Sequence, residues 1–137
     1  MISLKKLLTK IVQQLNNIGT QVNASNSSAV SITTGDPATP IASVTLSAGK
    51  WVLVGKIRFS ANGTGIRRGN IETTSGTNAI NVQIQAVNNN QNTTDIQVTK
   101  VVSVASSATY YLNAWQNSGS TLTCAAGIGW LNAIRIA

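Results

Sequence analysis

Over residues 1–22, MISLKKLLTKIVQQLNNIGTQV, the apolar positions Met1, Leu4, Leu8, Ile11, Leu15, Ile18 and Val22 step by three and four in strict alternation. This is a heptad seam, which keeps one apolar stripe turned toward a partner helix. Leu8 and Leu15 fall at a positions and Ile11 and Ile18 at d, a choice that disfavours two strands and favours three or four. Leu7 and Val12 widen the stripe, while Lys5, Lys6, Lys10, Gln13, Gln14, Asn16 and Asn17 form the opposite, solvated face. Two plainer roles fit the same pattern: an amphipathic helix packed on its own domain, or a Lys-rich helix lying on an anionic lipid surface. The 3,4 register is narrower than either requires, so it predicts oligomerisation through Leu4, Leu8, Ile11, Leu15, Ile18 and Val22.

After Ile18 the polar run GTQVNASNSS reads as a turn-rich hinge. The division is then 1–22 oligomerisation or attachment helix, 23–28 linker and 29–137 head. From Ala29 the apolar period changes to two. AVSITT is a first short strand, and GDPATP, with Pro37 and Pro40, is an irregular loop. SVTL, the turn SAGK and WVLVGKIRFSA predict a strand pair. Trp51, Leu53, Ile57 and Phe59 share one face of the long strand, and Val52, Val54, Lys56 and Arg58 share the other. Its first half is apolar on both faces, so it requires a second sheet on one side and a neighbouring subunit or a capping loop on the other. NAINVQIQAV turns Ile80, Val82, Ile84 and Ala86 inward, and DIQVTKVVSVA does the same with Ile96, Val98, Val102 and Val104. NNNQNTT between them is a solvated tip. SSATYYLNAWQN follows, and the last run places Leu122, Cys124, Ile128, Trp130, Ile134 and Ile136 in register. A strand so apolar belongs in the middle of a sheet or at a symmetric interface. The prediction is a mainly β chain: an antiparallel jelly-roll β-sandwich of about eight strands with a short N-terminal oligomerising α-helix.

Composition narrows the function. Only 9% of residues are charged, against about a quarter in soluble domains, and Ser, Thr, Asn and Gln supply the polarity instead. The net charge of +7 reflects a scarcity of acids, namely Asp36, Glu72 and Asp95. That balance permits attraction to nucleic acid, anionic lipid or acidic cell-wall polymer without choosing among them. Histidine is absent, which removes the commonest general base and metal ligand together with every Ser-His-Asp or Cys-His arrangement. Glu72 and Asp95 could form a glycosidase pair, but two solitary surface carboxylates explain them more simply. One cysteine without histidine makes no zinc site, and no Asp-rich loop suits calcium. Cys124 reads as a small core residue. The expectation is a non-enzyme with no cofactor and no metal. The N-terminal apolar residues are broken by Lys, Gln and Asn, so neither a signal peptide nor a membrane-inserting segment is expected.

The phrase VTLSAGKWVLVGKIRFSANGTG resembles the early strands of trimeric jelly-roll heads of the tumour-necrosis-factor and complement globular-head class. There a leucine–small–glycine–aromatic turn feeds a long strand ending in Phe. TTDIQVTKVVSVASSATYYLNAWQNSGSTLT and GWLNAIRIA look like their late strands, YYLNAWQNSG fitting a Tyr-x-Leu-x-x-x-x-x-Ser-Gly pattern. The opening MISLKKLLTKI is similar to the starts of small bacteriophage tail or head fibre proteins that join a short helix to such a head. The likeness covers most of residues 40–137. It implies a homotrimer on the virion surface, with other virion proteins and a host-envelope glycan as partners. It transfers no receptor-binding residue, because such heads vary their loops.

The candidate receptor contacts come from the residues themselves: Arg67, Arg68, Asn88, Asn89, Asn90, Asn92, Tyr111 and Trp115. Arg67 and Arg68, adjacent in a strand, point to opposite faces, so at most one is a free cation. The other is expected to pair with Glu72 or Asp95. Trp51 and Trp130 read as core, whereas Trp115, with Tyr110 or Tyr111, suits a sugar-stacking platform. The amides from Asn88 to Asn92 suit hydrogen bonds to a glycan. The expected function is a trimeric virion fibre or decoration protein whose head contacts cell-surface carbohydrate. The alternatives are a purely structural capsid or tail protein and a nucleic-acid binder. Against the latter stands the lack of a basic groove lined with aromatics.

Overall fold

A computed structural model describes residues 1–86 and 91–137. Asn88, Asn89 and Asn90 therefore lie outside the described residues. Helix α1 spans Leu4–Asn17. Ser3 caps it, its Oγ accepting from the Lys6 N–H at 3.3 Å, which satisfies one of the orphan donors of the first turn. The helix is shorter than the heptad pattern suggests. Gly19 takes a left-handed conformation (φ 86), open to glycine without a Cβ penalty, and the chain swings directly into a strand. The apolar stripe thus ends at Ile18, and Val22 belongs to the sheet.

Ten strands follow among the described residues: β1 (Gln21–Ser25), β2 (Val30–Ile32), β3 (Thr39–Leu46), β4 (Gly49–Phe59), β5 (Ile66–Glu72), β6 (Val82–Gln85), β7 (Thr94–Val104), β8 (Ala108–Gln116), β9 (Leu122–Cys124) and β10 (Trp130–Arg135). One sheet has the order β1-β10-β4-β7 and the other β3-β8-β5-β6, with β2 and β9 forming a short ribbon. All pairings are antiparallel. The architecture is a jelly-roll sandwich, as the alternation in the sequence predicts.

Between the sheets lies the core. Trp51, Leu53, Ile57 and Phe59 of β4 and Ile96, Val98, Val102 and Val104 of β7 meet Val44, Leu46, Ile71 and Leu112 of the opposite sheet. Full burial of side chains of this size contributes about 1.5–3 kcal/mol each. The sheets approach closely where one of them carries glycine. A Cβ at Gly55 would stand 2.7 Å from Leu112 Cδ1, and one at Gly69 would stand 2.9 Å from Val98 Cγ2. Cys124 is fully buried, as its alternation suggests.

Four details depart from the pattern. The stretch that reads as a hinge is ordered: β1 pairs with β10 over Gln21↔Ile134 to Ser25↔Trp130. Asn26, beyond it, is buried, its Nδ2 donating to the carbonyls of Ser28, Cys124 and Ala125 and its Oδ1 accepting from Gly129 N–H. β3 and β4 do not pair, because the turn between them carries the chain from one sheet to the other. The last segment changes parity at the turn after Cys124, so Leu131 and Ala133 point inward, Trp130 is only half-buried, and Ile134 and Ile136 are exposed. Finally, β6 begins at Val82 and leaves Ile80 exposed. The last strand does lie inside a sheet, between β1 and β4.

The strand ends define two poles. Gly19 N–H donates to the Arg135 carbonyl, and Gln21 pairs with Ile134, so α1 leaves the sandwich beside Arg135 and Gly49. Leu46 and its partner Ala108 lie at this same end. Trp115 is seven residues further along β8, about 23 Å away at the rise of an antiparallel strand.

Candidate binding face

Strand β5 places its two arginines on opposite faces, and their fates diverge. Arg67 points inward and is fully buried. Its Nη1 donates to the carbonyls of Thr64 and Ile66 and its Nη2 to that of Asn62, at 2.8 to 3.3 Å. The guanidinium lies 5.7 Å from the Phe59 ring centroid, and its Nε has no partner. Burial lowers its pKa from the ordinary arginine value, though guanidinium stays charged in any solution compatible with folding. Arg67 therefore fastens the turn between β4 and β5 from within and cannot touch a receptor.

The expected ion pair of an adjacent arginine with Glu72 or Asp95 does not form. Asp95 sits across from Arg58 in the β4–β7 register and takes both ends of its fork, at 2.7 and 2.8 Å. Lys56 adds a longer contact at 3.5 Å. The Arg58 hydrogen bond holds the Asp95 carboxyl below its ordinary range against an opposing effect of desolvation, with the charges of Arg58 and Lys56 adding to the lowering. The same bond raises the Arg58 pKa. Glu72 pairs with Lys100 at 2.7 Å. The two carboxylates are thus tied to separate cations, and no acid–base pair is assembled from them.

Arg68 points outward from the β3-β8-β5-β6 sheet. The registers Arg68↔Gln83 and Arg68↔Trp115 set three side chains in one row across β6, β5 and β8. The guanidinium carbon stands 4.2 Å from the Trp115 ring centroid, while Nε donates to Gln83 Oε1 at 2.6 Å. Trp115 Nε1 in turn donates to Asp36 Oδ1 at 2.9 Å. A cation over an indole face is attracted by the ring quadrupole, so the stack orients both groups at the surface. Gln83 and Asp36 were not among the sequence candidates. Asp36 is one of only three acids, which is the signal that could have drawn attention to it; Gln83 carries none.

Tyr111 shares this outer face but stands about 13 Å from Trp115 along β8. The outward residue between them, Asn113, is buried under a strap formed by residues 73–79. Asn113 Nδ2 donates to Asn70 Oδ1 and to the Thr74 carbonyl, its Oδ1 accepts from Gly76 N–H, and Asn70 Nδ2 reaches the carbonyls of Thr77 and Ala79. Tyr111 and Trp115 therefore flank the strap and do not form one platform. Asn92 is exposed in the connection leading to β7, at the same pole as Trp115. Among the described residues no three His, Cys, Asp or Glu side chains cluster as metal ligands, and no helix is long and apolar enough to cross a membrane.

The stripe of α1 is bare. No residue of the helix is buried, and Leu4, Leu8, Ile11, Leu15 and Ile18 are 43% to 80% exposed. Its last turns, with Ile11, Leu15 and Ile18, line a groove closed by Arg135 and Ala137. On the outer face of the β1-β10-β4-β7 sheet, Val101, Val52 and Ile134 form a lateral apolar row at the same pole, and Val101 and Ile134 are exposed.

No family model matches the chain, and no curated protein does. Among solved structures it is similar to the Eiger TNF of S. frugiperda, at a TM-score of 0.56 and 7% identity over 88% of this chain and 94% of that one. It is also similar to a chain of the infectious bursal disease virus Gt strain (TM-score 0.44, 15% identity, 83% of this chain and 31% of that one). A third similarity is to the C-terminal CBM6 of LamC from Zobellia galactanivorans (TM-score 0.36, 11% identity, 85% of this chain and all of that one). The first likeness supports the jelly-roll fold and nothing finer.

Proposed function

We propose that the chain is a structural protein of a virus particle, a fibre or decoration component that assembles as a homotrimer and contacts cell-envelope carbohydrate with its head. One observation carries this reading: a complete apolar stripe on a helix that the head leaves uncovered. The head already owns a closed core, so among the described residues nothing buries the stripe. Burial by copies of the same helix fits its heptad register, with leucine at a and isoleucine at d. The second apolar row, Val52–Val101–Ile134, emerges beside the helix root and extends the same contact onto the heads. Trp115 and Arg68 sit at the far pole, where three copies would present three weak sites about one axis and gain avidity.

Light scattering on the full chain is the first test, with an expected mass near three times the 14.3 kDa of one chain. A stable monomer at micromolar concentration would overturn the assembly reading. Binding of the assembled protein to host-envelope preparations tests the second half. A protein that ignored them all, yet was required for particle assembly, would have a purely structural role.

A further inference from the structure

We infer that the Arg68–Trp115 row is a subsite for an acidic glycopolymer, one whose repeating unit carries an oxyanion, carboxylate or phosphate, beside free hydroxyls. The inference rests on the carbohydrate reading above and specifies the ligand of that face. Arg68 is pinned at two points, by its stack on Trp115 and by the Nε bond to Gln83. Its Nη1 and Nη2 have no hydrogen-bond partner among the described residues. The side chain is only half-buried, so these nitrogens form an open, planar, two-donor edge. Such an edge matches the two oxygens of a carboxylate or phosphate, and charge-assisted bidentate bonds of this type are about twice as strong as neutral ones.

The rotamer entropy that an arginine ordinarily loses on binding is already spent here, since two contacts hold the guanidinium in place. On the other edge of the indole, Asp36 accepts the Nε1 proton with Oδ1 and keeps further lone pairs for donors such as sugar hydroxyls. A neutral sugar would leave the Arg68 edge unmatched. A bare anion would leave Asp36 as a repulsive neighbour. A polyhydroxylated anion satisfies both. The excess of basic over acidic residues, ten against three, adds long-range attraction for such polymers, while the fork supplies the local selectivity.

The test uses the full-length protein at physiological salt with three immobilised probes: poly(galacturonic acid), poly(glycerol phosphate) and dextran. Binding to one or both anionic polymers, and not to dextran, is expected; the preferred polymer identifies carboxylate or phosphate as the source. Arg68→Gln should lower that affinity about tenfold or more. Arg68→Lys, which keeps the charge and loses the fork, should fall nearly as far. Lys10→Gln, which removes one charge from the solvated side of the helix, should change it less than about twofold. Thermal unfolding at an unchanged temperature establishes that the variants are folded. If Lys10→Gln weakened binding as much as Arg68→Gln, or Arg68→Lys bound like the wild type, diffuse charge would explain the affinity and the subsite would be refuted. Binding of dextran untouched by either Arg68 variant would refute the acidic specificity while leaving the carbohydrate reading standing. A chain that bound none of the three would refute the acidic subsite, and binding of that chain to host-envelope preparations would leave the carbohydrate reading standing.

Discussion

The helix and the interior of the sandwich invert the usual placement of side chains. Along α1, leucines and isoleucines stand in solvent. Inside or beneath the sandwich, Asn26, Arg67, Asn70, Asn113 and Gln116 are buried. The physical reasons differ. A buried amide is tolerated where each of its donors and acceptors is met, and here the partners are mostly backbone groups of loops that no ladder satisfies. Gln116, for instance, donates to the carbonyls of Ile32 and Ser120 and accepts from Ser118 N–H, closing the turn between β8 and β9. An exposed apolar stripe has no comparable compensation among the described residues. The head therefore buries its own apolar residues, while the helix leaves its stripe exposed.

The largest effect that would break this contrast is expected from Ile11→Asp with Ile18→Asp. Charges at d positions cannot be desolvated cheaply, so the mass by light scattering should fall from that of the proposed trimer to that of a monomer while the head keeps its circular dichroism. Retention of the trimer would place the assembly contact elsewhere.

Asn113→Ala should be next. It strands Asn70 Oδ1, the Thr74 carbonyl and Gly76 N–H, at about 1–3 kcal/mol per buried group left unpaired. A loss of about 3 kcal/mol in denaturant unfolding is expected, with increased protease sensitivity confined to residues 73–79. A neutral result would mean the strap contributes little to the fold.

Arg67→Met sharpens the comparison inside the head. It removes a buried charge but leaves the Asn62 and Thr64 carbonyls without a donor, Ile66 keeping the Asn117 N–H, and a net loss of about 1–2 kcal/mol is expected. Arg67→Lys should not rescue it, because a point charge cannot reach both. Urea titrations of both variants check the order.

The smallest effect concerns Asp95. Its folded pKa lies below the unfolded value of about 3.9, so its contribution is present above that value and is lost as pH falls through the folded pKa. Unfolding temperature should hold level between pH 5 and 7, where no histidine titrates, and decline below about pH 4. Asp95→Asn should flatten that decline; an unchanged acid limb would assign it to the other carboxyls.

How much could be read beforehand follows from what alternation can encode. In β4 and β7 most inward residues are large and apolar, so Trp51, Leu53, Ile57 and Phe59 with Ile96, Val98, Val102 and Val104 announce strand, face and core at once. In β1, QVNAS offers only Val22 and Ala24 as half-buried positions, and an edge strand with so little to bury looks like a hinge. The parity of β10 was lost because the turn after Cys124 shifts the phase by one, and both phases of that stretch carry apolar residues. Buried amides are the hardest case. Asn26, Asn70 and Asn113 find partners on loop backbones, and backbone groups leave no trace in composition. At the candidate binding face, Arg68 and Trp115 are legible as exposed candidates, but their stacking depends on the β5–β8 register. The inward turn of Arg67 depends on carbonyls of the preceding turn.

The five-pair ladder of β1 with β10 has a mechanical consequence. The helix joins β1 at one pole, while Arg68 and Trp115 lie at the other, so tension between an anchored helix and a bound surface would run parallel to the strands. Antiparallel hydrogen bonds lie across the strand direction. Such a load shears them together, whereas a pull at right angles would open them one pair at a time. With the helix anchored and the far pole bound, as proposed, the edge strand would act as a tether whose resistance depends on the direction of the force, strongest along the line joining the two poles.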